Sequence, residues 1–142
     1  MLHDNNSKLR LLNNKTNDSS YLIAICLYLD RYFQNKQAFD FKNEGGEQLK
    51  KSINLARYFL ENNPETVETC TPDVQGKELL KGLDILEQLI KEGGEPGDGY
   101  SKTIETLYNF LKEYLKRKTM QDIKRSRADW VEKVRRDFST PI

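Results

Sequence analysis

Nine consecutive residues, Tyr21–Leu29, carry no charge and no strong hydrogen-bonding side chain, and no other stretch of the chain shares this property. A helix that faces solvent has one apolar stripe, whereas a segment that is apolar on most sides has to be covered by neighbours. We therefore expect this run to be the central buried element around which the rest of the chain packs.

The apolar character of this run does not by itself distinguish a helix from a strand, since Ile and Tyr are common in both. Three N-cap candidates precede it: Asp18, Ser19 and Ser20. Helical spacing then continues beyond Leu29 to Ala38, which is too long for an ordinary strand. The sequence predicts a helix.

Two further segments repeat apolar residues at intervals of three or four. The first runs from Leu49 to Leu60 and is stopped by Asn62-Asn63-Pro64. After a polar stretch, Thr71-Pro72-Asp73 has the composition of a helix start, and Gly93-Gly94 that of a helix end. Within this helix Gly82 either lowers the helix propensity or lets another helix approach closely.

The last third of the chain contains two apolar sets. The first set is Ile104, Leu107, Tyr108, Leu111 and Leu115, and the second is Met120, Ile123, Trp130, Val131, Val134 and Phe138. On one helix these two faces would point in directions that differ by roughly 150°. We predict a break near Lys118-Thr119; one continuous helix whose second half meets a different partner is the alternative.

These patterns predict an all-α fold, a compact bundle of four or five helices. With 142 residues the chain has the size of one domain. We assign residues 18–142 to the bundle and residues 1–17, which are rich in Asn, to a mobile N-terminal lead-in.

Catalytic chemistry is not indicated. The only histidine, His3, lies in the lead-in, and the two cysteines, Cys26 and Cys70, form no ligand or disulfide pattern. We expect no enzyme, cofactor, metal site or small-molecule substrate. The polar N-terminus has no secretory signal and Tyr21–Leu29 is too short to cross a bilayer, so we expect a cytoplasmic protein without membrane contact.

Charge is distributed unevenly along the chain. Residues 1–100 carry 12 Lys or Arg against 16 Asp or Glu, whereas residues 101–142 carry 11 against 6. The candidate nucleic-acid-binding residues are Lys116, Arg117, Lys118, Lys124, Arg125, Arg127, Arg135 and Arg136. They would contact the DNA or RNA backbone without reading sequence. Asp122, Asp129 and Glu132 dilute this surface, and a merely solvated helix face is the alternative.

Arg127 differs from the other basic residues because it projects into the second apolar face, where an unpaired guanidinium would be costly. One explanation, which we favour, is that it stacks on Trp130, three residues further on. The other is that this face meets a partner whose carboxylate or phosphate pairs with Arg127.

A helical chain of this size, with an apolar helix such as Tyr21–Leu29 and basic C-terminal helices such as Lys116–Arg136, resembles the small subunits of CRISPR effector complexes. The resemblance implies a non-catalytic subunit of a ribonucleoprotein in antiviral defence. Such a subunit packs against neighbouring protein subunits and copies of itself, and it contacts the phosphates of nucleic acid. The alternative function is a helical protein-interaction or homo-oligomeric adaptor module with no nucleic-acid role.

Overall fold

The computed structural model describes residues 19–139, with side chains up to residue 137. The predicted lead-in at residues 1–17, the candidate cap Asp18, His3 and the apolar side chain of Phe138 lie outside the described part. The described helices are α1 Ser20–Gln34, α2 Phe41–Glu44, α3 Glu47–Asn62, α4 Pro64–Cys70, α5 Gly76–Glu92 and α6 Asp98–Ser139. Residues 19–139 contain no strand, which confirms the all-α prediction.

Four long helices form the bundle. Helix α1 packs on α3 and α6, and α5 packs on the same two helices from the other side. Their inward faces meet in one core, to which α1, α3, α5 and α6 all contribute fully buried side chains. These side chains are Leu22, Ile25, Leu29, Ile53, Leu79, Leu83, Leu86, Ile104, Leu107, Phe110 and Leu111. The short helices α2 and α4 cover the core at α5 and α6.

Helix α1 begins at Ser20, as the apolar run predicted, but it ends at Gln34, before the predicted Ala38, and it is one side of the bundle rather than its centre. Ile23 and Leu27 point outward and are 44% and 57% exposed. The expectation of a buried element therefore holds for six of the nine residues of the run, and Ile23 and Leu27 are its exposed positions. A four-helix ring covers each helix only on the faces that meet its two neighbours and the core.

The chain between α3 and α5 also departs from the prediction. Pro64 stops α3, and it then occupies the first turn of α4, where a missing N–H and a fixed φ are tolerated. Thr71 does not begin the next helix; it is the C-cap of α4, where its hydroxyl donates to the carbonyl of Val67 at 3.0 Å, and the following Pro72 disfavours further helical turns. Helix α5 starts later, at Gly76.

Gly82 and Gly93 lie where the sequence predicted, one inside α5 and one directly after its last residue. Gly93 ends the helix with φ +80°, a conformation that L side chains rarely adopt. At Gly82 an added Cβ would lie 3.2 Å from Leu107 Cβ of α6. The absence of a side chain at Gly82 is therefore what lets α5 and α6 approach closely.

Helix α6 is a single helix of 42 residues, so the predicted break near Lys118-Thr119 was wrong. Residues 100–139 contain neither Gly nor Pro and are rich in good helix formers, which favours local continuity. Glu113 and Arg117, one turn apart, form an ion pair of 2.7 Å just before the predicted break. The change of apolar face does not break the helix, because its second half leaves the bundle and no longer has to face the core.

A hydrogen bond between Tyr108 of α6 and Asp30 joins α6 to α1. The tyrosine hydroxyl donates to the carboxylate, the Tyr108 ring stacks on Phe33 with ring centres 4.8 Å apart, and the Lys112 ammonium lies 4.3 Å from the ring centre. The hydrogen bond to Asp30 raises the pKa of Tyr108 to about 12.

Because an unfolded tyrosine has a pKa of about 10, this contact stabilises the fold fully below pH 10 and is lost as the pH rises towards 12. We expect Tyr108→Phe to be less stable than the wild type at pH 8, and the difference to shrink by pH 12. Urea unfolding at the two pH values measures this. A difference that stays constant over this range would show that the hydrogen bond to Asp30 does not raise the pKa of Tyr108.

A projecting helical arm as the candidate functional site

The second half of α6 extends beyond the bundle. Leu115 is the last apolar residue of α6 that packs against the core of the described chain. From residue 119 to residue 137 every side chain is exposed except that of Val134, which is half-buried. We call residues 119–139 the arm.

The arm carries an apolar stripe that has no cover within the described chain. Its members are Met120, Ile123, Trp130, Val131 and Val134. Trp130 is 65% exposed and Ile123 is 50% exposed. Single exposed apolar residues are normal on a soluble protein, but a row of them at helical spacing is typical of an interaction surface.

The stripe faces away from the bundle. The core-facing residues of α6, such as Leu107 and Leu111, are fully buried, and the stripe points roughly 150° from them on the same continuous helix. Only Met120, at the start of the stripe, lines a cavity together with α4 residues such as Thr66, whereas Ile123, Trp130 and Val131 lie further along the arm and are exposed. This orientation leaves the stripe available to a separate chain.

Arg127 lies within the stripe and is exposed. The favoured prediction that it stacks on Trp130 was wrong: the cation–π contacts of the described residues involve Arg31, Lys36 and Lys112. A guanidinium in water is well hydrated, so nothing forces Arg127 onto the indole while the stripe is uncovered. The cost of an unpaired guanidinium would arise only when a partner covers this face.

The basic residues named by the sequence fall into two places. An open groove of about 590 Å³ lies between α4 and the start of the arm. Five of the eight predicted residues line it: Lys116, Arg117, Lys118, Lys124 and Arg125. Arg127, Arg135 and Arg136 lie further along the arm, outside this groove.

Carboxylates reduce the positive charge of the groove. Glu65 and Asp122 also line it, and Arg117 Nε donates to Glu113 at 2.7 Å. The hydrogen bond from Arg117 holds the pKa of the Glu113 carboxyl below its usual value, so this pair stays ionised. The α4 side contributes Thr66 and Thr69, which the sequence reasoning missed because it predicted no helix there.

Neither cysteine has the surroundings of a nucleophile. Burial raises the pKa of the Cys26 and Cys70 thiols, whereas reactive cysteines have lowered pKa values. Among residues 19–139 no group of three or more His, Cys, Asp or Glu side chains is placed to hold a metal ion. In the same residues no helix has the length and hydropathy needed to cross a membrane.

Comparison of the chain with protein families, with curated proteins and with solved structures finds no match.

Proposed function

We propose that the protein is a non-catalytic subunit of a larger assembly and that the arm is the element through which it binds a neighbouring protein subunit. The observation that carries this proposal is the apolar stripe on a continuous helix that points away from its own bundle. Burying a side chain such as Trp130 contributes about 1.5–3 kcal/mol, and the stripe offers several. Docking an amphipathic helix into an apolar groove or against another helix is a common mode of recognition.

The raised pKa values of the two thiols speak against a cysteine nucleophile, because such a cysteine needs the opposite shift. Tryptophan at the centre of the stripe supports the docking part, since Trp is enriched among the residues that dominate protein interfaces.

Photo-crosslinking in the native cells tests the proposal. A benzoylphenylalanine placed at Trp130 should give a discrete protein adduct whose partner is identified by mass spectrometry. The matched control places the same group at Lys81, an exposed position on α5 of the bundle, and should give no such adduct. Absence of an adduct at Trp130, or the same set of adducts at both positions, would contradict the proposal.

A second candidate function is contact with the phosphate backbone of nucleic acid. The groove between α4 and the arm favours it, because five basic side chains converge there. A phosphate chain in this groove would release counterions, so its binding should weaken steeply with salt. The more specific resemblance to the small subunits of CRISPR effector complexes, and with it a role in antiviral defence, remains a prediction.

We expect the triple variant Lys116→Glu, Lys124→Glu, Arg125→Glu, in which all three positions line the groove, to bind labelled single-stranded DNA or duplex RNA at least tenfold more weakly than the wild type at low salt. The matched control, Lys77→Glu, Lys81→Glu, Lys91→Glu, makes the same charge change on exposed positions of α5. Fluorescence anisotropy at about 50 and 200 mM salt measures both. Equal losses in the two variants would mean that only net charge matters.

A further inference from the structure

The spacing of the residues along the stripe indicates what kind of partner would cover it. Four stripe residues, Met120, Ile123, Trp130 and Val134, form with Arg127 a line on one uninterrupted helix in which steps of three and four alternate, and Val131 lies beside this line. This alternation is the a and d pattern of a two-stranded coiled-coil contact, in which each side chain fits between four residues of a facing helix. The stripe is therefore shaped to receive another helix.

We infer that the facing helix is the arm of a second copy of this chain, running antiparallel. This inference rests on the proposed function and names its partner. In an antiparallel pair an a position of one helix meets a d position of the other. Arg127 of each copy then meets Trp130 of the other copy. On either side of these two contacts, Ile123 of one copy meets Val134 of the other.

The position of Arg127 selects the antiparallel orientation. A parallel pair in register would place the two Arg127 guanidinium groups against each other in the seam, where like charges repel. The antiparallel pair instead places each guanidinium on the indole of the opposite Trp130, where a cation–π contact offsets its desolvation. The stacking absent within one chain thus forms between two.

The length of the arm selects the register. With Arg127 on Trp130, residue 119 of one copy faces residue 138 of the other, so the two arms overlap along their whole described length. Sliding the two arms apart by one heptad would leave only residues 125–139 of each arm in contact. Sliding them further over each other by one heptad would place the end of each arm on the outer face of the other bundle, where Lys112 and Lys116 are exposed. The register with Arg127 on Trp130 is the longest one confined to the arms.

The bundles do not obstruct this pairing. The stripe points roughly 150° away from the core-facing side of α6, so the second arm approaches from the side opposite the chain's own helices. An overlap of 20 residues is about 30 Å long, and each bundle lies at an opposite end of the paired arms.

Variants with one introduced cysteine test both pairing and register. In a Cys70→Ala background, in which the remaining Cys26 is buried, we would prepare the full-length variants Ile123→Cys and Val134→Cys. A mixture of the two should form a covalent dimer with a short bis-maleimide, and each variant alone should not. Leu27→Cys, an exposed site on α1, is the control and should not cross-link with either.

Sedimentation of the wild-type chain provides the second measurement. We expect a monomer–dimer equilibrium, and Trp130→Ala should raise its dissociation constant at least tenfold. Cross-linking of each cysteine variant to itself would overturn the antiparallel pairing, and cross-linking of neither the mixture nor the single variants would overturn the register. A monomer at every concentration, together with a photo-adduct between the benzoylphenylalanine at position 130 and a different protein, would overturn homotypic pairing while leaving the proposed function in place.

Discussion

Replacing Ile123 and Trp130 together with aspartate is expected to separate the protein from its assembly while leaving the bundle folded. Each of these side chains is at least half exposed, so neither contributes to the core. In a complex both would be buried, and the loss of two central apolar contacts with the introduction of two unpaired carboxylates should weaken binding more than a hundredfold. Gel filtration of native extracts measures the change in size, and circular dichroism measures the retained fold.

The matched control for this prediction is Ile23→Asp, Leu27→Asp. These residues form the exposed apolar pair on α1, and the substitutions remove a similar apolar area and add the same charge. We expect this variant to stay in the assembly. If it is released as readily as the arm variant, the arm has no special role and exposed apolar area in general governs association.

Gly82→Val is expected to destabilise the bundle by about 2–3 kcal/mol, a large fraction of the stability of a small domain. Even the Cβ alone would lie 3.2 Å from Leu107 Cβ and 3.4 Å from the carbonyl oxygen of Thr103, and the two methyl groups of valine need more room. The close contact between α5 and α6 would have to open, and the buried leucines beside it would lose packing. Urea unfolding at neutral pH measures the loss.

Gly76→Val is the control, because an added Cβ at Gly76 meets nothing within 4 Å at the start of the same helix. Valine has a better helix propensity than glycine, so this variant should be neutral or slightly more stable. Equal destabilisation of both variants would show that backbone effects dominate and that the α5–α6 contact does not require glycine.

Much of the fold could be predicted from local patterns. The apolar residues from Leu49 to Leu60 located α3, and Gly93 located the end of α5, because helix faces and caps depend on residues within a few positions of each other. The change of apolar face near Lys118-Thr119 was detected correctly, but a break was the wrong interpretation. The direction of the apolar face alone cannot distinguish two separate helices from one helix whose second half leaves the core.

The candidate site was only partly predictable for the same reason. The sequence identified the basic residues of the last third and the apolar residues around Trp130. It could not place Lys124 and Arg125 opposite Thr66 and Thr69 across a groove, because those residues are far apart in the chain. It also could not show that the stacking of Arg127 on Trp130 is absent within one chain.

The sequence by itself determined that this protein is helical, where its apolar faces lie, and that its final third is amphipathic and basic. These properties follow from short-range periodicity and composition. Only the tertiary structure decided which faces are covered, since cover depends on contacts between distant segments. It buried Leu107 beneath α5, left Ile23 and Leu27 outside the ring, and carried Trp130 on an unbroken helix beyond the bundle. The stripe is exposed because helix α6 is longer than the core against which it packs.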